Sequence, residues 1–228
     1  MRSSLRANRV IAAMVAVVLG LGMAACGSDD ETATSSPSPQ TTGAPTSAPE
    51  QAAPEMTIAE YIQRNNITET PVRRGDPGAP TIELPVPPGW RDANTRAPEG
   101  AYTAMDYADP AGAADTGTII AYVSKLTGNV DPAKILEYAP AEIQRLPGYE
   151  GPKVGGPTKV GGYDTTQIGG AYTKLGAKRA IGQMTTVIPA QDGTYVLQLN
   201  AESPGTPEQV QALTLATAFL AQQAKVTP

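Results

Sequence analysis

KVGGYDTTQIGGAYTKLGAKRAIGQMTTVIPAQDGTYVLQLNA, residues 159–201, has a β-type composition broken at three places: Gly161-Gly162, Leu175-Gly176 and Gln191-Asp192-Gly193. Short glycine-containing breaks between β-rich runs predict hairpin turns, here joining three or four antiparallel strands. Tyr195-Val196-Leu197-Gln198-Leu199 is the most strand-like segment. Downstream, Thr206 stands at an N-cap position with Pro207 in the first turn, and a long helix follows. Its stripe is Val210, Leu213, Thr217 and Leu220, widened by Ala216 and Ala224.

Upstream, Asp131-Pro132 opens a helix whose buried face is Ile135, Leu136, Ala139 and Ile143, with Pro140 set to kink or split it. Residues 102–107 and 118–126 predict two strands around a loop. Residues 81–86 alternate as a strand, and Pro85, which lacks a ladder donor, places that strand at an edge. Thr57-x-x-Glu60 is a capping box in front of Ile58, Tyr61 and Ile62 at helical spacing. Pro71 and the Gly75-Asp76-Pro77-Gly78 turn close that first region. The order helix, three strands, helix, several strands, helix predicts an α+β fold, an antiparallel sheet flanked by helices.

The chain begins differently. Arg2, Arg6 and Arg9 precede an apolar run over 10–23, and Met23-Ala24-Ala25-Cys26 follows. A basic start, a short apolar stretch and a small-residue cleavage site make a secretory signal. The apolar run is shorter than the roughly 20 residues of a membrane span. A cysteine directly after the small pair makes it a lipoprotein signal, with Met23 where that pattern usually carries Leu. Residues 1–25 are then the signal peptide, and Cys26 is the lipidation site; the alternative is a short signal-anchor helix with an incidental cysteine. Residues 28–55 hold no aromatic and no Lys or Arg, and are mostly Ser, Thr, Pro and Ala. Such a segment has too little apolar surface to offset its ordering entropy. Residues 26–55 therefore read as a lipidated tether, averaging about 30 Å end to end as a flexible coil, and residues 56–228 as one globular domain.

Removal of residues 1–25 takes three arginines and no acid, leaving 14 Lys+Arg against 22 Asp+Glu, a formal charge of −8. That balance argues against nucleic acid, whose binding needs cations against phosphates. It also argues against a polybasic membrane contact, so the lipid on Cys26 must do the anchoring to the plasma membrane. Cys26 is the only cysteine, so no disulfide forms within the chain, and there is no histidine. Ser-His-Asp and Cys-His nucleophilic catalysis and the usual zinc sites are thereby excluded.

The remaining motifs have plain structural readings. The glycine pairs 155–156, 161–162 and 169–170 lack both the Walker spacing and GxGxxG, and read as turns and closely packed strands. Asp106, Asp109 and Asp115 do not match a calcium loop and read as solvated loop acids. Trp90, the only tryptophan, reads as a plug at the core edge or as part of a ligand mouth. Nine tyrosines against one phenylalanine suit either sheet faces meeting solvent or an amphipathic ligand. No catalytic constellation and no cofactor motif emerges, and the expectation is a protein that is not an enzyme.

Several blocks carry a resemblance: TIAEYI, ETPV, GDPGAPTIELPVPPGW, VSKLTGNVDPAKIL and TTVIPAQDGTYVLQLNA. With the signal and the Thr/Pro tether, they make the chain resemble the LpqN/LpqT family of mycobacterial and related actinobacterial lipoproteins, over essentially the entire domain. The resemblance implies a fold similar to the Mog1/PsbP group, residence on the outer face of the plasma membrane, and a part in cell-envelope biogenesis. It implies binding of an envelope lipid or glycolipid, or contact with an envelope lipid transporter, and it carries no catalytic residues; Cys26 alone transfers as a residue. Two functions follow as expectations. One is a tethered module that binds an amphipathic lipid or glycolipid between sheet and helix, with Trp90, Tyr138, Leu213 and Leu220 as candidate pocket residues. The other is an adaptor with a closed core that docks envelope transport or biosynthesis proteins.

Overall fold

The structure is a computed structural model that describes residues 56–227, so the signal, Cys26 and the tether lie outside the described residues. The 159–201 region folds as expected into a four-stranded meander: β6 (Gly156–Val160), β7 (Tyr163–Lys174), β8 (Ala177–Ala190) and β9 (Gly193–Pro204). Its first two turns place both central residues at positive φ, Gly161 and Gly162 at 58° and 88°, Leu175 and Gly176 at 51° and 79°. That is the conformation whose twist matches a two-residue hairpin.

Counting from the N-terminus, α1 (Ile58–Arg64) precedes β1 (Thr68–Pro71), β2 (Thr81–Glu83), β3 (Trp90–Asp92), β4 (Thr103–Tyr107) and β5 (Thr118–Thr127). Helices α2 (Pro132–Tyr138) and α3 (Pro140–Gln144) lead into the meander, which is followed by α4 (Pro207–Gln223) and β10 (Lys225–Thr227). The main sheet is antiparallel in the order β3-β4-β5-β9-β8-β7-β6, with β1 alongside the far half of β5.

The capping box forms as read: Glu60 N donates to Thr57 Oγ1 at 3.2 Å and Thr57 N to Glu60 Oε2 at 2.7 Å. Asp131 caps α2 by accepting from Ala133 N at 2.9 Å. Pro140 splits the helix, because its ring removes the amide that would continue the ladder, and α2 and α3 share Ala139 as their junction. Thr206 departs from expectation. It holds the N-cap position with extended backbone, yet its hydroxyl makes no capping bond. The strand expected over 81–86 shortens to β2 and leaves the main sheet, pairing instead with β10.

The strand registers separate two faces. On one, Met184, Ile188, Leu197, Leu199 and Ile119 pack with Leu213, Ala216 and Leu220 of α4, and with Ile82 and Leu84 of the β2–β10 ribbon region. On the other, Leu126, Val187 and Val196 meet Ile58 and Tyr61 of α1 and Ile135 of α2. Each of the Val, Leu, Ile and Met side chains among them, once buried, contributes roughly 1.5–3 kcal/mol. The result is an antiparallel sheet flanked by helices on both faces.

Candidate functional site

Helix α4 runs across the meander and packs chiefly on β9 and β6, the two outer strands of that four-stranded unit. Between them, over β7 and β8, helix and sheet stand apart, and a cavity of about 890 Å³ opens there. That lies in the range of small-molecule sites, about 300–1,000 Å³.

The gap follows from the sequence of the floor. The Leu175-Gly176 turn sets Gly169 opposite Gly182 and Ala171 opposite Ala180, so four small residues share the face toward α4. A Cβ built on Gly182 would find only Ile168 O at 3.9 Å and Ala201 Cβ at 4.0 Å. On Gly169 it would meet Ile181 O at 3.3 Å and nothing from α4 within 4 Å. These two glycines leave space. Others exclude it: a Cβ on Gly170 would lie 2.6 Å from Glu150 O, and one on Gly155 would strike Thr166 and Pro140. The reading of the glycines as turns and tight packing therefore holds at 161–162, 155 and 170, and fails at 169.

The wall is Val210, Leu213, Thr214 and Thr217 of α4. Thr214 Oγ1 donates to Val210 O at 2.9 Å, and Thr217 Oγ1 to Leu213 O at 3.1 Å. With those donors spent on the helix, the threonines offer chiefly their methyl groups. Met184 and Ala180 extend the apolar lining, and Pro152, Val154 and Gly155 close the sheet edge. Polar groups gather toward the β7–β8 turn. Lys178 pairs with Glu150 at 2.5 Å, and Arg179 pairs with Asp115 and, at 3.0 Å, with Glu202. On the face of these strands away from α4, burial and a hydrogen bond to Glu202 push the Tyr172 hydroxyl up to about 12. The arrangement can hold an apolar body inside and a polar group at one end; it presents no nucleophile beside a base.

Of the four candidate pocket residues, the structure brings only Leu213 to the cavity. Leu220 is fully buried in the core below it. Trp90 sits at the far edge of the sheet, its ring 5.7 Å from Tyr107, and Gly117 is small because that ring lies over it. Tyr138 belongs to α2 on the opposite face, its ring tilted against that of Tyr61 at 5.6 Å. Of the three acids read as solvated loop acids, Asp115 remains largely exposed while pairing with Arg179, Asp109 accepts from Gln209, and Asp106 lies in β4, mostly buried against Arg96. Gly182 and Gln209 were not singled out by the sequence. The signal for Gly182 was present, since the turn register alone pairs it with Gly169.

No helix among the described residues is long and apolar enough to cross a membrane. The family model "Probable lipoprotein LpqN" matches residues 54–227. The lipoprotein LpqN of Mycobacterium tuberculosis is 45% identical over 179 residues, 78% of this chain and 76% of LpqN. The crystal structure of LpqN, involved in cell envelope biogenesis of M. tuberculosis, superposes with a TM-score of 0.70 at 45% identity, covering 77% of this chain and 99% of that one. A match spanning the sheet, both helix layers and the cavity makes this chain a member of the LpqN lipoprotein family.

Proposed function

We propose that this envelope lipoprotein is anchored through acylated Cys26 on the extracytoplasmic face of the plasma membrane, and that its folded domain is a non-enzymatic carrier. It holds the apolar part of an amphipathic lipid or glycolipid beneath α4 and exchanges that cargo with an envelope lipid transporter. The observation that carries the reading is the cavity itself: about 890 Å³, floored by glycine and alanine and walled by aliphatic and methyl groups. Each methylene buried there contributes about 0.8 kcal/mol, so one long acyl chain is enough for useful affinity. Lys178, on the same face as Ala180 and Gly182, suits a polar head at that end of the cavity.

The test is native mass spectrometry of residues 56–228 produced in an actinobacterial host. The solved LpqN chain is matched over 99% of its length by 77% of this chain, which supports testing the folded portion by itself. A bound mass in the range of an acylated sugar or fatty acid is the expected result. A clean protein mass, unchanged after challenge with envelope lipids, overturns it in favour of an adaptor that docks other envelope proteins.

A further inference from the structure

Gln209 is a polar side chain in the first turn of α4, yet only 6% exposed. Its carbonyl oxygen accepts from Gly117 N at 2.8 Å, and its amide nitrogen donates to Asp109 Oδ2 at 3.0 Å. Both partners belong to the loop between β4 and β5, on the other side of the sheet order from β7 and β6. The rest of the helix start is weakly held. Thr206 gives no capping bond, Val210 is 36% exposed, and the floor beneath is open at Gly169 and Gly182. From Leu213 onward α4 is the reverse, with Leu213, Ala216 and Leu220 buried and β10 paired to β2.

From this asymmetry we propose that Gln209 is a latch and that the first turns of α4 are a gate. Released from the β4–β5 loop, residues 207–212 move off the cavity while the helix from Leu213 onward stays in the core. The hinge is Gly205, whose amide donates to Lys178 O at 3.2 Å and which fits against β8 only because it lacks a side chain. Segments with few packed contacts beneath them are the ones that open locally without global unfolding. The gate's role in cargo entry rests on the lipid-binding reading; its existence does not.

The chemistry of the latch supplies its own test. Gln209→Glu keeps an acceptor for Gly117 N but sets a carboxylate against Asp109. Adding Asp109→Asn restores a donor–acceptor pair with the polarity reversed. Hydrogen exchange is followed in the full-length chain, and release of a bound fluorescent fatty acid in the same three proteins. Gln209→Glu is expected to speed exchange at amides 210–212 about tenfold or more, the effect of a broken buried hydrogen bond. Exchange in β8 and at Leu220 stays unchanged, probe uptake and release both accelerate, and the double substitution returns all of these toward wild type. Unchanged exchange at 210–212, or equal acceleration throughout the sheet, overturns the latch. Absence of any probe binding in wild type with the local exchange pattern intact overturns the lipid reading and leaves the gate standing.

Discussion

Leu175 is the clearest local conflict in the chain. It occupies the first central position of the β7–β8 turn at φ 51° and is fully exposed. An L-residue with a branched side chain loses roughly 1–2 kcal/mol in that conformation, and here no packing offsets the loss. At the end of α1 the same geometry falls on Asn66, at φ 51°, a residue type that tolerates it. Leu175→Asn is therefore expected to stabilise the fold by about 1 kcal/mol, raising the urea midpoint at unchanged slope. A lowered midpoint would mean that Leu175 makes a contact absent from the folded monomer. The sequence showed the turn but not the strain. A Leu-Gly break reads as a hairpin whichever of its residues takes the positive φ.

Among elements, an ion pair joins α1 to the end of α3. Arg145 donates to both oxygens of Glu60, at 2.7 and 3.0 Å. Those hydrogen bonds, and then the backbone amide of Thr57, hold the Glu60 carboxyl down to about 2, against 4.5 ordinarily. A carboxyl depressed on folding stabilises fully above its unfolded value and loses that contribution as pH falls through the folded one. Wild type should thus be more stable than Glu60→Gln at neutral pH. The gap between their urea midpoints should close as the pH drops from about 4.5 to about 2. A gap independent of pH would show that the capping geometry, not the charge, carries the effect. The elements that periodicity revealed are those with internal signals: the caps of α1 and α2, the break at Pro140, the turns of the meander. Strands β1 and β3 carried none. Residues 68–71 are exposed at every position, and 90–92 form only three residues of strand. Both exist because longer neighbours, β5 and β4, offer them an edge to pair with.

For the whole molecule, the decisive feature is a distance between layers, which no single segment encodes. Periodicity marked the buried stripe of α4 correctly at Leu213, Ala216 and Leu220, yet it could not show that Val210 and Thr217 face a gap. That depends on α4 resting on β9 and β6 while β8 and β7 present Gly182, Gly169, Ala180 and Ala171. If the gap is kept open for a ligand, filling it should cost function and spare the fold. Gly182 has ordinary φ and room for a Cβ, and glycine in a strand interior forfeits about 0.5–1 kcal/mol relative to alanine. Gly182→Leu should therefore melt no lower than wild type while projecting an isobutyl group into the cavity. It should lose co-purifying lipid or weaken fatty-acid binding at least tenfold. Gly170→Ala is the opposing control: it lies on the same ribbon, but its Cβ would press within 2.6 Å of Glu150 O. That variant should melt lower, and its remaining folded fraction should bind as wild type does. Equal binding by Gly182→Leu and wild type would count against the floor over β7 and β8 as the ligand site.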